Sequence, residues 1–184
     1  GLMKMLVERT PIIRDAPFIL AEVKEYCRML HDDEDASLFK MAWEAASEVE
    51  SFAQLALLRQ AIRLTIFDGV LGDGLSLPVG PMRNGAPMTV TLDGVASTAF
   101  EAVPGNRPYL SWDTALRGAA HRRVVIEYEA GFGDAASDVP EDAGQAIIDQ
   151  AYMLYGGRTI DEVLSRRRSM QLARVAARYR GVSL

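Results

Sequence analysis

Apolar positions change their period twice along this chain. Leu20, Val23, Cys27 and Leu30 recur at spacings of three and four, which predicts a first helix over roughly residues 19–30. Leu38, Ala42, Ala45, Val49, Phe52 and Ala56 repeat the pattern and predict a second, longer helix ending near Leu55 or Leu58. Its outer face carries Lys40, Glu44, Glu48 and Gln54. The joint between them, His31-Asp32-Asp33-Glu34-Asp35, is acidic. Carboxylates there suit the positive end of the helix dipole, and Asp32 or Asp33 is placed to cap free N–H groups. A link this short implies an antiparallel helix pair over residues 19–58. Pro11 and Pro17 disfavour helix before them, so residues 1–17 are expected to form an irregular arm.

Alternation then replaces the helical period. Ile62, Leu64 and Ile66 alternate with Arg63, Thr65 and Phe67, which predicts a strand. Leu75-Ser76-Leu77-Pro78 reads as a short strand that the proline ends. Met88, Val90 and Leu92 alternate up to Asp93-Gly94, a strong hairpin-turn dipeptide. Residues 99–103, 109–112 and 122–129 complete an expected antiparallel unit of five or six strands over residues 60–130.

The last of these strands, Val124-Val125-Ile126-Glu127-Tyr128, runs into Glu129-Ala130-Gly131-Phe132-Gly133-Asp134. The glycines break it, and Val139-Pro140 opens a helix over residues 140–156. Ala143, Ile147, Ala151 and Leu154 form that helix's inner face, and Gly156-Gly157 ends it. Thr159-Ile160-Asp161-Glu162 reads as a capping box for a last helix. Arg167 and Arg168 interrupt its apolar stripe. Alone such a helix is marginal, so it is expected to order against a partner, and its removal should leave a folded body. The fold class is therefore α+β: an antiparallel N-terminal helix pair, a small central antiparallel β unit and C-terminal helices.

Composition narrows the function more than the fold. Of 184 residues, 49% are hydrophobic and 24% charged, an ordinary globular balance. No apolar run approaches the roughly 20 residues that span a bilayer, so no membrane partner is expected. Cys27 is the only cysteine, and its place on an apolar helix face marks it as a small buried hydrophobe. These features fit a protein that folds in the cytoplasm. Charge is divided unevenly. Residues 1–162 hold all 25 acidic residues and 14 basic ones, a net −11. Residues 163–184 hold Arg166, Arg167, Arg168, Arg174, Arg178 and Arg180 and no acid. A body and tail of opposite sign point to different surfaces and different partners.

Catalytic signatures are missing. His31 and His121 do not stand at zinc-ligand spacing, and one cysteine cannot build a thiolate cluster. There is no phosphate loop ending in Gly-Lys-Ser/Thr and no Gly-x-Ser-x-Gly elbow. Gly131-Phe132-Gly133 lacks the third glycine of a dinucleotide fingerprint. Asp32–Asp35 lacks the glycine and the twelfth-position glutamate of a calcium loop. No enzyme activity, cofactor or metal is expected. Trp43 and Trp112 could stack on bases, although aromatic residues more often fill cores and interfaces.

The order of elements and several strings resemble the head–tail connector (adaptor) proteins of tailed bacteriophages and gene transfer agents. Residues 20–30 are similar to that family's opening helix, and His31–Ala36 to its acidic joint. Leu75-Ser76-Leu77-Pro78-Val79 resembles its strand ending in Leu-Pro. Tyr128–Asp134 with Val139-Pro140, Ala146-Ile147-Ile148 and Tyr152–Tyr155 resemble its closing strand and helix. The resemblance covers roughly residues 18–158, which it marks as a connector domain, leaving residues 159–184 as an arginine-rich tail.

It implies a non-enzymatic subunit at the head–tail junction of a virion or phage-like particle, assembled in the bacterial cytoplasm. Such subunits form rings, often of twelve copies, under the portal protein. The ring extends the DNA channel, with duplex DNA in transient proximity, and docks a tail-side stopper or connector. The arginines are not part of the family pattern. Our reading is that the helix pair and β unit form the ring wall while Arg166, Arg167, Arg168, Arg174, Arg178 and Arg180 contact the portal. The alternative is a DNA-binding packaging or regulatory factor that uses the same arginines on phosphates.

Overall fold

The structure is a computed structural model and describes residues 4–156 and 169–180. The chain divides into a β unit, residues 4–13 with 59–131, and a helical unit, residues 14–58 with 132–156 and 169–180. The α+β class is as expected.

The β unit holds eight strands in two antiparallel sheets. Strands β1 (Lys4–Pro11), β2 (Gln60–Val70), β8 (Ala120–Ala130), β4 (Met88–Leu92) and β5 (Val95–Ser97) form the larger sheet in that spatial order. Strands β3 (Gly74–Ser76), β7 (Tyr109–Trp112) and β6 (Phe100–Val103) form the smaller one. Alternation dictates the inner faces. Ile62, Leu64 and Ile66 of β2, Val90 and Leu92 of β4, and Val124, Ile126 and Tyr128 of β8 are buried, as are Leu110 and Trp112 of β7. Asp93-Gly94 makes the two-residue β4–β5 turn, with φ of +50° and +83°, the paired left-handed conformation such turns need.

Two strands depart from expectation. Residues 4–11, expected as part of an irregular arm, form edge strand β1 along Gln60–Phe67 of β2. β5 emerges from the Asp93-Gly94 hairpin. Both lacked an alternating apolar face because both lie at sheet edges.

The helical unit contains α1 (Leu20–Tyr26), α2 (Asp35–Ala53), α3 (Glu141–Gly156) and α4 (Met170–Arg180). Leu38, Ala42, Ala45, Val49 and Ala53 of α2 meet Ala143, Ala146, Ile147 and Ala151 of α3 in one core. Alanine on both sides lets the helices approach closely.

Helix α1 is shorter than the periodicity predicts. Arg28 adopts φ +56°, its N–H donates to the Glu25 carbonyl, and the Met29 N–H donates to the Lys24 carbonyl. This is a Schellman stop with arginine in the place usually held by glycine. It ejects Leu30, which is 97% exposed rather than part of the stripe.

Neither Asp32 nor Asp33 caps α2, whose first turn has no side-chain cap. Instead Lys24 of α1 holds Asp32 in a close ion pair and Asp35 at 2.8 Å, tying the acidic joint to the helix before it. The Asp32 hydrogen bond, then that of Asp35, raises the Lys24 pKa, while Lys24 lowers that of Asp32. Cys27 is half-buried against the helical core, and burial raises its thiol pKa. No helix among the described residues is long and apolar enough to cross a membrane.

Candidate interaction surfaces

Helix α4 carries three of the six arginines singled out from the sequence. Arg166, Arg167 and Arg168 lie outside the described residues, as does the Thr159–Glu162 capping box. The described helix begins at Met170, just after Ser169, whose Oγ accepts the Leu172 N–H at 3.0 Å. It is amphipathic: Leu172, Val175, Ala176 and Tyr179 are buried in the helical core. The expectation of a poor stripe awaiting a partner is therefore corrected for this segment. The periodic residues lie after the arginine cluster, at positions where the sequence reading followed charge rather than spacing.

Two polar attachments fix α4 antiparallel to α3. Near one end, buried Gln150 accepts the Ser169 N–H at 2.9 Å and donates to Glu48 Oε2 at 2.6 Å. Near the other, Asp142 pairs with Arg178 and accepts the Tyr179 hydroxyl at 3.2 Å. Arg178 also lies over the Tyr179 ring, 5.0 Å from its centroid. Phe132, from the glycine-flanked string, meets the same tyrosine edge-on at 5.7 Å.

These attachments separate the arginines. Arg178 is engaged by Asp142 within the unit, while Arg174 and Arg180 are exposed. At 3.6 residues per turn, Arg174 and Arg178 share one shoulder of α4, and Arg180 lies about 160° around from Arg178. Exposed Met170, Ala173 and Ala177 run between the shoulders. The outer face is thus a narrow small-and-apolar strip with cations on both flanks.

A second surface of the helical unit has the opposite sign. A cavity of about 620 Å³ opens beside α1 and the start of α3, floored by Phe18, Ile19, Val139 and Ile148 and rimmed by Glu22, Glu25 and Glu141. Among the described residues, no basic one lines it. Sequence reading missed it because its walls come from segments more than a hundred residues apart. Of the two tryptophans, Trp112 is buried and Trp43 packs edge-on against Phe18 at 5.8 Å. His121 Nδ1 is 3.1 Å from Asp93 Oδ2, and Asp93 Oδ1 accepts the N–H groups of Arg122 and Arg123. The Arg123 N–H is the main reason that the Asp93 pKa is lowered. These groups stabilise the β4–β5 turn.

The Tyr128–Asp134 string is shaped by backbone needs. Tyr128 Oη donates to the Val79 carbonyl at 2.8 Å and accepts the Val79 N–H at 3.0 Å, closing both main-chain groups of one residue. Gly131 has φ +142°. A Cβ on Gly133 would meet the Asp138 carboxyl at 2.4 Å, and that carboxyl accepts the N–H groups of Asp134 and Ala135.

Comparison with known proteins gives a short sequence match and long structural ones. No family model matches the sequence. A tetraacyldisaccharide 4'-kinase of Alkalilimnicola ehrlichii is 34% identical over 90 residues, 43% of this chain, and the chain spans only 27% of that protein's length. A chain from the virion of a native gene transfer agent particle superposes with a TM-score of 0.73 at 23% identity. Chains from the neck of an empty particle with C6 symmetry and of a native particle with C12 symmetry give 0.75 and 0.74, at 21% and 22% identity. Each match covers 97% of both chains, so this protein shares its fold, end to end, with chains of gene transfer agent particles.

Proposed function

We propose that this chain is a structural head–tail connector (adaptor) subunit, forming a ring of twelve copies below the portal of a phage-like particle. The ring extends the DNA channel and docks the tail-side component. The observation that carries the reading is the fold shared over 97% of the chain with subunits of particle necks, one of them solved with C12 symmetry. Ring closure requires heterologous contacts, in which two different patches of the same subunit meet. In this reading the helix pair with its acid-rimmed cavity and the β unit supply those patches, and the cation-flanked strip of α4 is kept for the portal. A net-acidic body suits a channel through which phosphates slide. No catalytic role is part of this reading.

The test is electron microscopy of particles carrying this subunit, with its density located, together with particles made after its gene is removed. A ring at the head–tail junction, and heads that lose DNA or fail to take tails without it, are expected. Tailed, DNA-retaining particles made without the gene would overturn the assignment. Portal contact through α4 is tested separately by Arg174→Glu with Arg180→Glu, two exposed positions that leave the Asp142 attachment intact. The double variant should retain its fold and lose at least tenfold in affinity for isolated portal rings. Unchanged affinity would exclude these arginines as portal contacts.

A further inference from the structure

Strand β1 is the best-defined uncovered edge of the molecule. Among the described residues it pairs with β2 on one side only, and all eight of its residues are exposed. Met5, Leu6 and Val7 are 46%, 47% and 41% exposed, a run of apolar side chains on an open strand. Edge strands are usually blunted by lysine or proline because their free N–H and C=O groups invite another strand. Here Lys4 and Pro11 stand only at the ends, leaving the middle open.

The ladder says which groups face outward. The Ile12 N–H donates to the Arg59 carbonyl, in the same register that pairs Lys4 with Phe67 and Pro11 with Gln60. Hydrogen-bonded pairs alternate in an antiparallel ladder, so Lys4, Leu6, Glu8 and Thr10 bond to β2. The main-chain groups of Met5 and Val7 therefore point away from the sheet.

We infer that β1 pairs antiparallel with β1 of a second copy of this chain, in the register centred on Leu6. Outward groups must face outward groups, so the two-fold axis passes through a residue: Met5, Leu6, Val7 or Glu8 in the middle of the strand, of which the Glu8 register sets that carboxylate against its own copy and is disfavoured. Only the Leu6 register sets Lys4 opposite the partner copy's Glu8, twice by symmetry. It also sets Met5 opposite Val7 on the face shared with Ile66 and Leu64, and Leu6 against its own copy. The Met5-centred register faces Lys4 with Leu6, and the Val7-centred register faces Lys4 with Thr10 and Leu6 with Glu8. The strand is thus complementary to itself in charge and in apolar matching. Such a contact is short, so it makes a weak dimer that forms and parts with concentration. The pairing is two-fold and independent of the ring reading: it describes the free subunit whether or not rings form.

The experiment uses the full chain. Sedimentation velocity from low to high micromolar concentration should show reversible dimers. Lys4→Glu or Glu8→Lys alone places like charges opposite each other and should weaken dimerisation by about three- to tenfold, with the double swap restoring it. In a Cys27→Ser background, Leu6→Cys should give a disulfide-linked dimer under mild oxidation, whereas Met5→Cys and Val7→Cys should link far less. The Leu6 pair lies across a non-hydrogen-bonded position, where Cα atoms approach within disulfide range. A chain that stays monomeric throughout overturns the inference. So does a dimer indifferent to the charge swap, or one that links through position 5 or 7 in preference to 6.

Discussion

At the scale of single residues, several side chains replace missing secondary structure. Tyr128 is the clearest: its buried hydroxyl closes both polar groups of Val79. Tyr128→Phe keeps the ring and strands those groups, and should destabilise the β unit by about 1–3 kcal/mol. Urea unfolding followed by amide exchange in β8 measures it. Burial raises the Tyr128 pKa, holding the phenol neutral past its ordinary range near 10. The sign follows from proton binding. Above about pH 10 the unfolded phenol ionises while the folded one keeps its proton, so this part of the stability is present below pH 10 and lost as pH rises beyond it. The Phe variant should lack that alkaline loss. Arg28 shows the limit of reading such residues from sequence. Nothing in Cys27-Arg28-Met29-Leu30 announces a left-handed arginine, so a stripe that looked continuous to Leu30 stops a turn early.

Elements were legible where one face is buried and the other wet. β2, β4 and β8 could be read from alternation because Ile62, Val90 and Ile126 each point into a core while Arg63, Thr89 and Glu127 point out. β1 could not, since Met5-Leu6-Val7 is a continuous apolar run on a strand exposed throughout. The candidate arginines were legible as a charge block, but their division between two shoulders of α4 depends on Leu172, Val175, Ala176 and Tyr179 choosing the buried side. The same burial changes what a truncation does. A chain ending at residue 162 was expected to keep a folded body. With α4 in the core, that truncation should instead open the helical unit, seen as lost exchange protection in α2 and α3. Leu172→Ala, a milder form of the same injury, should cost about 2–5 kcal/mol. Full protection in the truncated chain would show that α4 contributes nothing to the core.

For the whole molecule, charge decides how it treats DNA. Residues 1–162 are net −11, and Arg178 is bound by Asp142, so long-range repulsion opposes the exposed Arg174 and Arg180. Duplex affinity at near-physiological salt should be no better than the roughly 10⁻⁴–10⁻⁶ M of non-specific binders. Fluorescence anisotropy with a labelled duplex measures this. Tight binding that falls steeply with added salt would favour the packaging-factor alternative over the connector. The order in which the units are written along the chain bears on how it folds during synthesis. The polypeptide crosses from one unit to the other three times, near residues 13, 58 and 131, and the helical core is finished only by its last described helix. A ribosome delivers α2 on the order of ten seconds before α4 at ordinary elongation rates. Half-made chains therefore display an unfinished alanine-lined groove, and a message broken ahead of Met170 never completes it. Emergence of Leu172, Val175, Ala176 and Tyr179 from the ribosome is thus the step that closes the helical core.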